Sequence, residues 1–154
     1  MSASNRGLRD FAEADLPVLV DLWVVAWRET GLPIDFDARR AWLEARLSAL
    51  LTGGATIVVG LDAGEKPAGF FAIDPRCGAL DQLCVAPAER GSGLASALLD
   101  EAKRRSPGVI ELDVNEANAR ARRFYEREGF TVAGRGVNAR SGLPTLKLVW
   151  RGEA

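Results

Sequence analysis

Histidine is absent from this chain of 154 residues. No imidazole is therefore available as a general base, as the activator of a nucleophile or as a metal ligand. Cysteine is scarce, with Cys77 and Cys84 alone. Two cysteines without histidine cannot complete a zinc site, and they are too few for a disulfide scaffold, so both are read as reduced thiols and no metal is expected. No apolar run is long enough for a signal or transmembrane segment. With the reduced thiols, that points to the cytoplasm and away from a membrane. Neither sign of charge is in excess, 20 Lys and Arg standing against 21 Asp and Glu for a net charge of -1. Nothing in that balance argues for nucleic acid or an anionic membrane surface as a partner. Lysine itself is rare, at Lys66, Lys103 and Lys147, a matter of composition rather than of chemistry.

What is present is 47% hydrophobic and 27% charged residues, the balance of a globular protein. The length suits one domain over residues 1–154, large enough for a core without disulfide support. There are no internal repeats or low-complexity blocks. The stretch that organises the chain is Leu80 to Arg105. Leu80, Leu83 and Val85 make a short apolar strand that Pro87 stops, because proline cannot donate to a sheet ladder. From Leu94 the apolar residues Leu94, Ala97, Leu98 and Ala102 recur at helical spacing, predicting a helix to about Ser106. Between strand and helix lie Gly91, Ser92 and Gly93. A glycine turn opening a helix aims unpaired N–H groups at one anion, and Arg90 adds a fork suited to phosphate, while Ala95 keeps the approach open.

Residues 109–130 form a second strand-to-helix unit. Val109, Ile110, Leu112 and Val114 suit a buried strand, with Glu111 and Asp113 alternating among them. Asn118 is a good N-cap and Gly129 is placed to end the helix. Asn118 and Tyr125 lie seven residues apart, two turns and about 10.5 Å along one helix face, so both can line one groove.

Arg90, Gly93 and Ala95 read as Arg-x-x-Gly-x-Ala, which resembles the acyl-CoA pyrophosphate loop of the GNAT superfamily of N-acetyltransferases. The second unit is similar to the other signature of that superfamily, Asn-x-x-Ala-x-x-Phe-Tyr-Glu closing on Gly-Phe, with Asn118, Ala121, Phe124, Tyr125, Glu126, Gly129 and Phe130 at the matching places. Ser92 departs from the pattern, since relatives often carry a basic residue or glycine between the two loop glycines. A hydroxyl can still donate to phosphate there.

The rest of the chain fits the order of elements in that superfamily. Arg6 to Arg9 reads as a first strand. A helix follows with Leu19, Leu22, Val25 and Ala26 on its apolar side and Trp23 and Trp27 nearby, broken by Gly31 and Pro33. A second helix over about Asp35 to Leu51 carries an alanine stripe, Ala38, Ala41, Ala45 and Ala49 with Trp42, widened by Leu43, Leu47 and Leu50. Thr56 to Leu61, Ala68 to Ile73 and the strand at Leu80 predict an antiparallel meander. Thr131 to Ala133, a Gly-rich stretch from Gly134 to Gly142 and a last strand, Leu146 to Trp150, complete the chain. The sum is α+β, a mixed and mostly antiparallel sheet with helices on both faces, as in the GNAT acyl-CoA N-acyltransferase fold.

The resemblance implies acetyl-CoA as cosubstrate. It implies that the strands at 80–86 and 109–114 splay apart to admit the pantetheine arm. Main-chain groups of Leu83, Cys84 and Val85 would pair with the arm and the acetyl carbonyl, where preset donors stabilise a developing oxyanion. The amides of Gly91, Ser92, Gly93, Leu94, Ala95 and Ser96 would hold the pyrophosphate beside Arg90. Asn118, Ala121 and Phe124 would form the other wall, with Arg122 or Arg123 as candidates for a phosphate. Tyr125 is the candidate acid for the departing thiolate. An alkylammonium is only about one part in 2,500 neutral at pH 7, so the acceptor's proton must go to a carboxylate, alone or through water, or to ordered water. Asp113 is the first candidate base and Asp81 its rival, while Glu29 is an alternative residue for binding the amine. Cys84 reads as a packed thiol rather than an acyl carrier, for want of a base to activate it.

The expected activity is direct transfer of acetyl from acetyl-CoA to a primary amine of a small molecule, peptide or protein. The alternative is a noncatalytic acyl-CoA-binding regulatory module on the same fold. A dinucleotide-binding oxidoreductase fits less well, because the glycine turn follows a meander rather than a first βαβ unit. The late strands of GNAT folds often pair between subunits, which makes a homodimer the expected assembly. Residues 27–36 and 134–143, where specificity would lie, carry no decodable motif.

Overall fold

The computed structural model describes residues 7–152. Its elements run β1 (Leu8–Asp10), α1 (Leu16–Arg28), α2 (Arg40–Thr52), β2 (Thr56–Leu61), β3 (Pro67–Asp74), β4 (Ala79–Val85), α3 (Leu94–Arg105), β5 (Val109–Asn115), α4 (Ala119–Arg127), β6 (Thr131–Val137) and β7 (Pro144–Arg151). The seven strands form one sheet in the order β1-β2-β3-β4-β5-β7-β6. Every pairing is antiparallel except β4 with β5. Among the described residues no helix is long and apolar enough to cross a membrane.

Strand alternation sends side chains to two helical layers. Ile57, Val59, Phe70, Ala72 and Cys84 pack beneath α1 and α2, against Leu19, Val20, Trp23, Leu43 and Leu47. Val58, Phe71, Ile73 and Leu80 join Ile110, Leu112, Val114 and Leu148 beneath α3 and α4, against Leu98, Leu99 and Tyr125. The two layers are thus separate cores on opposite faces of one sheet.

Several expectations need correction. In α1 the buried residues are Leu19, Val20, Trp23 and Val24, whereas Val25 is 47% exposed. The helix sits about one residue round from the expected face, because Trp23 and Val24 bury more apolar surface than Leu22 and Val25 would in that orientation. In α2 the alanine stripe faces outward, Ala41, Ala45 and Ala49 being exposed, and Leu43 with Leu47 forms the contact. The larger side chain again decides the face. The strand expected to stop at Ala133 runs on through Gly134 and Gly136 to Val137, held by pairing with β7. In the first strand, Arg6 lies outside the described residues.

β4 is irregular where it matters. Ala72 of β3 faces Gln82, and Ile73 faces Leu80, so Asp81 is an extra residue in the ladder. This bulge bends β4. Beyond it β4 leaves β5, and among the described residues the two strands share one register pair, Ala79 with Glu111, reinforced by Glu111 N–H donating to Gly78 O at 2.8 Å.

Candidate active site

The gap between β4 and β5 opens into a groove of about 920 Å³, within the range of small-molecule sites. Its walls are β4 from Leu80 to Val85, β5 at Leu112 to Val114, the end of α1, the turn before α3, and one face of α4. Ala86 N–H donates to Ala68 O at 2.8 Å. With the register pairing Cys84 to Phe70 and Leu83 to Phe71, this fixes which backbone groups look where. Those of Cys84 and Ala86 are turned to β3, and those of Leu83 and Val85 point into the gap. Of the three residues expected to offer main-chain bonds, Leu83 and Val85 are therefore the ones whose groups are available.

At the head of α3, Gly91 and Gly93 both have left-handed backbones, φ 79° and 90°, which only glycine adopts without strain. A Cβ on either would meet nothing within 4 Å, so their smallness is not required by internal packing. The amides of the turn are not equivalent. Ser92 N–H donates to Glu89 O at 3.1 Å, and Leu94 N–H donates to the Ser92 hydroxyl at 3.3 Å. Gly91, Gly93, Ala95 and Ser96 line the groove, and the first intrahelical bond here is Ala97 N–H to Gly93 O, 3.0 Å. That leaves the preceding N–H groups and the positive end of the helix dipole at the mouth. Leu94 itself is fully buried.

On α4, Asn118 caps the helix by accepting from Ala121 N–H at 3.3 Å, which leaves its amide hydrogens for a ligand. Asn118, Ala121, Phe124 and Tyr125 all line the groove. So do Arg120 and Arg127, rather than Arg122 and Arg123. Arg120 and Arg127 sit four residues before and three after Phe124, so helical spacing puts them on the same face as Phe124. Neither makes an ion pair with another described residue, which leaves two cations available to phosphate.

Tyr125 is the chain's single tyrosine and is 8% exposed. Its ring packs edge-on against Phe124 and Phe130, centroids 5.2 Å away in each case. Burial pushes its phenol above the ordinary value, with the Cys84 thiol adding to the effect, so the proton stays on at neutral pH. Cys84, also buried, is pushed up to about 12 by desolvation. A thiol held that firmly protonated is a poor nucleophile.

The carboxylates divide. Asp113 alternates with Leu112 and Val114, which face α3 and α4, so Asp113 projects to the opposite face, the side of α1 and α2. It is exposed, lines the groove and makes no hydrogen bond or ion pair with another described residue. Asp81 also lines the groove, but its carboxylate accepts from Arg46, Nε at 3.2 Å and Nη2 at 2.5 Å, and holds that guanidinium above its ordinary value. Gln82 donates to Asp81 at 3.2 Å and accepts from the Trp23 indole at 3.0 Å. The bulge thus turns Asp81 and Gln82 together onto α2 and α1. Glu29, just past α1, meets Arg90 across the mouth at 3.5 Å.

Comparison with known proteins gives the same reading. Residues 16–130 match the model of the "Acetyltransferase (GNAT) family". The peptidyl-lysine N-acetyltransferase YjaB of Salmonella typhimurium is 34% identical over 132 residues, 82% of this chain and 88% of that protein. The solution structure of apo YjaB from Escherichia coli superimposes with a TM-score of 0.76 at 26% identity, covering 95% of this chain and 97% of that one. The PaiA N-acetyltransferase of Thermoplasma acidophilum, solved in complex with coenzyme A, shares the fold with a TM-score of 0.75 at 17% identity, over 94% of this chain and 97% of that one.

Proposed function

Since the chain belongs to the GNAT acetyltransferase family, we propose that it transfers the acetyl group of acetyl-CoA directly to the side-chain amine of lysine in a peptide or protein. The observation that carries this is the through-sheet groove. It has a protonated Tyr125 on the α4 side and an uncommitted Asp113 on the α1 side, with phosphate-sized donors at one end. The YjaB relatives named above support lysine as the acceptor.

Acetyl-CoA supplies an activated thioester, and the chain's residues hold and polarise it. Arg120, Arg127 and the amides at Gly91, Gly93, Ala95 and Ser96 bind its phosphates. Leu83 and Val85 pair with the extended arm as a neighbouring strand would, and Asn118, Ala121 and Phe124 close the other side. Tyr125 gives a hydrogen bond to the sulfur. With its phenol held above a thiol's value, it stabilises the thiolate as a donor more than it surrenders the proton. Asp113, on the acceptor's side, takes the ammonium proton directly or through water. Asp81, already committed to Arg46, serves as a strut.

The test is calorimetric titration of the protein with acetyl-CoA, followed by thiol release with lysine-bearing peptides, free amino acids and polyamines. Binding with release that requires a lysine peptide supports the proposal. Binding without release from any amine favours a noncatalytic acyl-CoA sensor, and no binding removes the assignment of the groove.

A further inference from the structure

The Glu29–Arg90 pair joins the two halves of the groove. Arg90 belongs to the turn that leads into α3, and Glu29 is the first residue beyond α1 on the other wall. Both line the cavity. Their contact is a single approach of 3.5 Å between Nη1 and Oε1, with the side chains 37% and 47% exposed. That is longer than a well-formed charge-assisted bond of about 2.7–2.9 Å, and such exposed pairs hold weakly. A phosphate, by contrast, takes a guanidinium through two parallel hydrogen bonds.

From this geometry we infer that Glu29 is the acceptor-recognising carboxylate and that Arg90 masks it until a phosphate-bearing cosubstrate arrives. Paired with Glu29, Arg90 neutralises it. When the turn binds a pyrophosphate, Arg90 turns to it and Glu29 is left facing the groove from the same side as Asp113. The two uncommitted carboxylates then make that side selective for a cation, which is how a lysine side chain presents itself at neutral pH. Trp27, on the same wall and one helical step from the Trp23, Phe36 and Trp42 cluster, offers an aromatic surface for the methylene stem. The inference rests on the acetyl-transfer reading for its acceptor half, but not for its coupling half.

The experiment is a cycle of four proteins: wild type, Glu29→Gln, Arg90→Gln and the double variant. Each is titrated with coenzyme A alone. Removing Glu29 frees Arg90, so coenzyme A binds about two- to fivefold more tightly to Glu29→Gln than to wild type, the range of one exposed ion pair. In the Arg90→Gln background that gain disappears. A gain of equal size in both backgrounds, or none in either, overturns the coupling. A second arm measures thiol release with a lysine-bearing peptide at saturating acetyl-CoA, where Glu29→Gln raises the peptide's KM about fivefold. If release proceeds and KM is unmoved, acetyl transfer stands and Glu29 is not its recognition residue. If wild type releases no thiol with any amine, the acetyl-transfer reading fails, and the coenzyme A cycle still decides the coupling.

Discussion

Tyr125 is packed against Phe124 and Phe130, so exchanging it for phenylalanine deletes a hydroxyl and leaves the ring contacts in place. A thiolate with a reference value of about 8.5 leaves passably unaided. We therefore expect Tyr125→Phe to lower kcat about 100-fold, the low end of the general-acid range, with affinity for acetyl-CoA close to unchanged. Steady-state kinetics beside calorimetry separates the two, and an undiminished kcat would remove Tyr125 from the proposed chemistry. The direction of Asp113 was legible from strand alternation, because a carboxylate between two buried residues must face the other way, as Glu111 does too. The commitment of Asp81 was not, since its partner Arg46 lies 35 positions away on a helix whose orientation the alanine stripe had concealed.

Among the elements, α4 couples stability to the groove through its cap. Asn118 holds the first turn by accepting from Ala121 N–H, and the helix is only nine residues long, so little else sustains its start. Asn118→Ala is expected to cost about 1 kcal/mol, lowering Tm by roughly 2–4 °C, and scanning calorimetry would register it. The strands and helices that carry the groove were legible because their signals are local: a proline stop, a glycine turn, an N-cap, a run of β-branched residues. The bulge in β4 also leaves a trace in the sequence. Leu80 and Leu83 share a face while standing three apart, which simple alternation forbids. What local signals could not reveal is pairing. β6 runs through Gly134 and Gly136, residues with little preference for strands, because β7 supplies the ladder. The faces of α1 and α2 followed from which side chains bury most area, a property of the layer they meet.

For the molecule as a whole, two buried acids set an alkaline limit. The folded protein holds the Cys84 proton up to about 12 against 9.0 in the open chain, through desolvation, and burial raises Tyr125 in the same direction. Raised values in the folded state mean that this stability is complete below pH 9. It is lost progressively as pH climbs from the unfolded values toward the folded ones, with a slope of about 1.4 kcal/mol per pH unit for each group. Unfolding measured from pH 8 to 11 should show Tm falling above pH 9, and Cys84→Ala should make that fall shallower. An unchanged slope in the variant would mean that Cys84 does not contribute.

The divergence of β4 from β5 has a consequence in time as well as in space. A strand in the middle of a sheet is ordinarily the last place where amide hydrogens exchange with solvent, because both its edges are occupied. Here the N–H groups of Leu83 and Val85 face a groove, while their neighbour Cys84 is tied to Phe70. The protection pattern along β4 should therefore alternate residue by residue, slow at Cys84 and fast at Leu83 and Val85. Deuterium exchange followed by NMR would then see the interior of the protein behave like its rim, until an extended ligand occupied the place of the missing strand and the two fast sites fell silent.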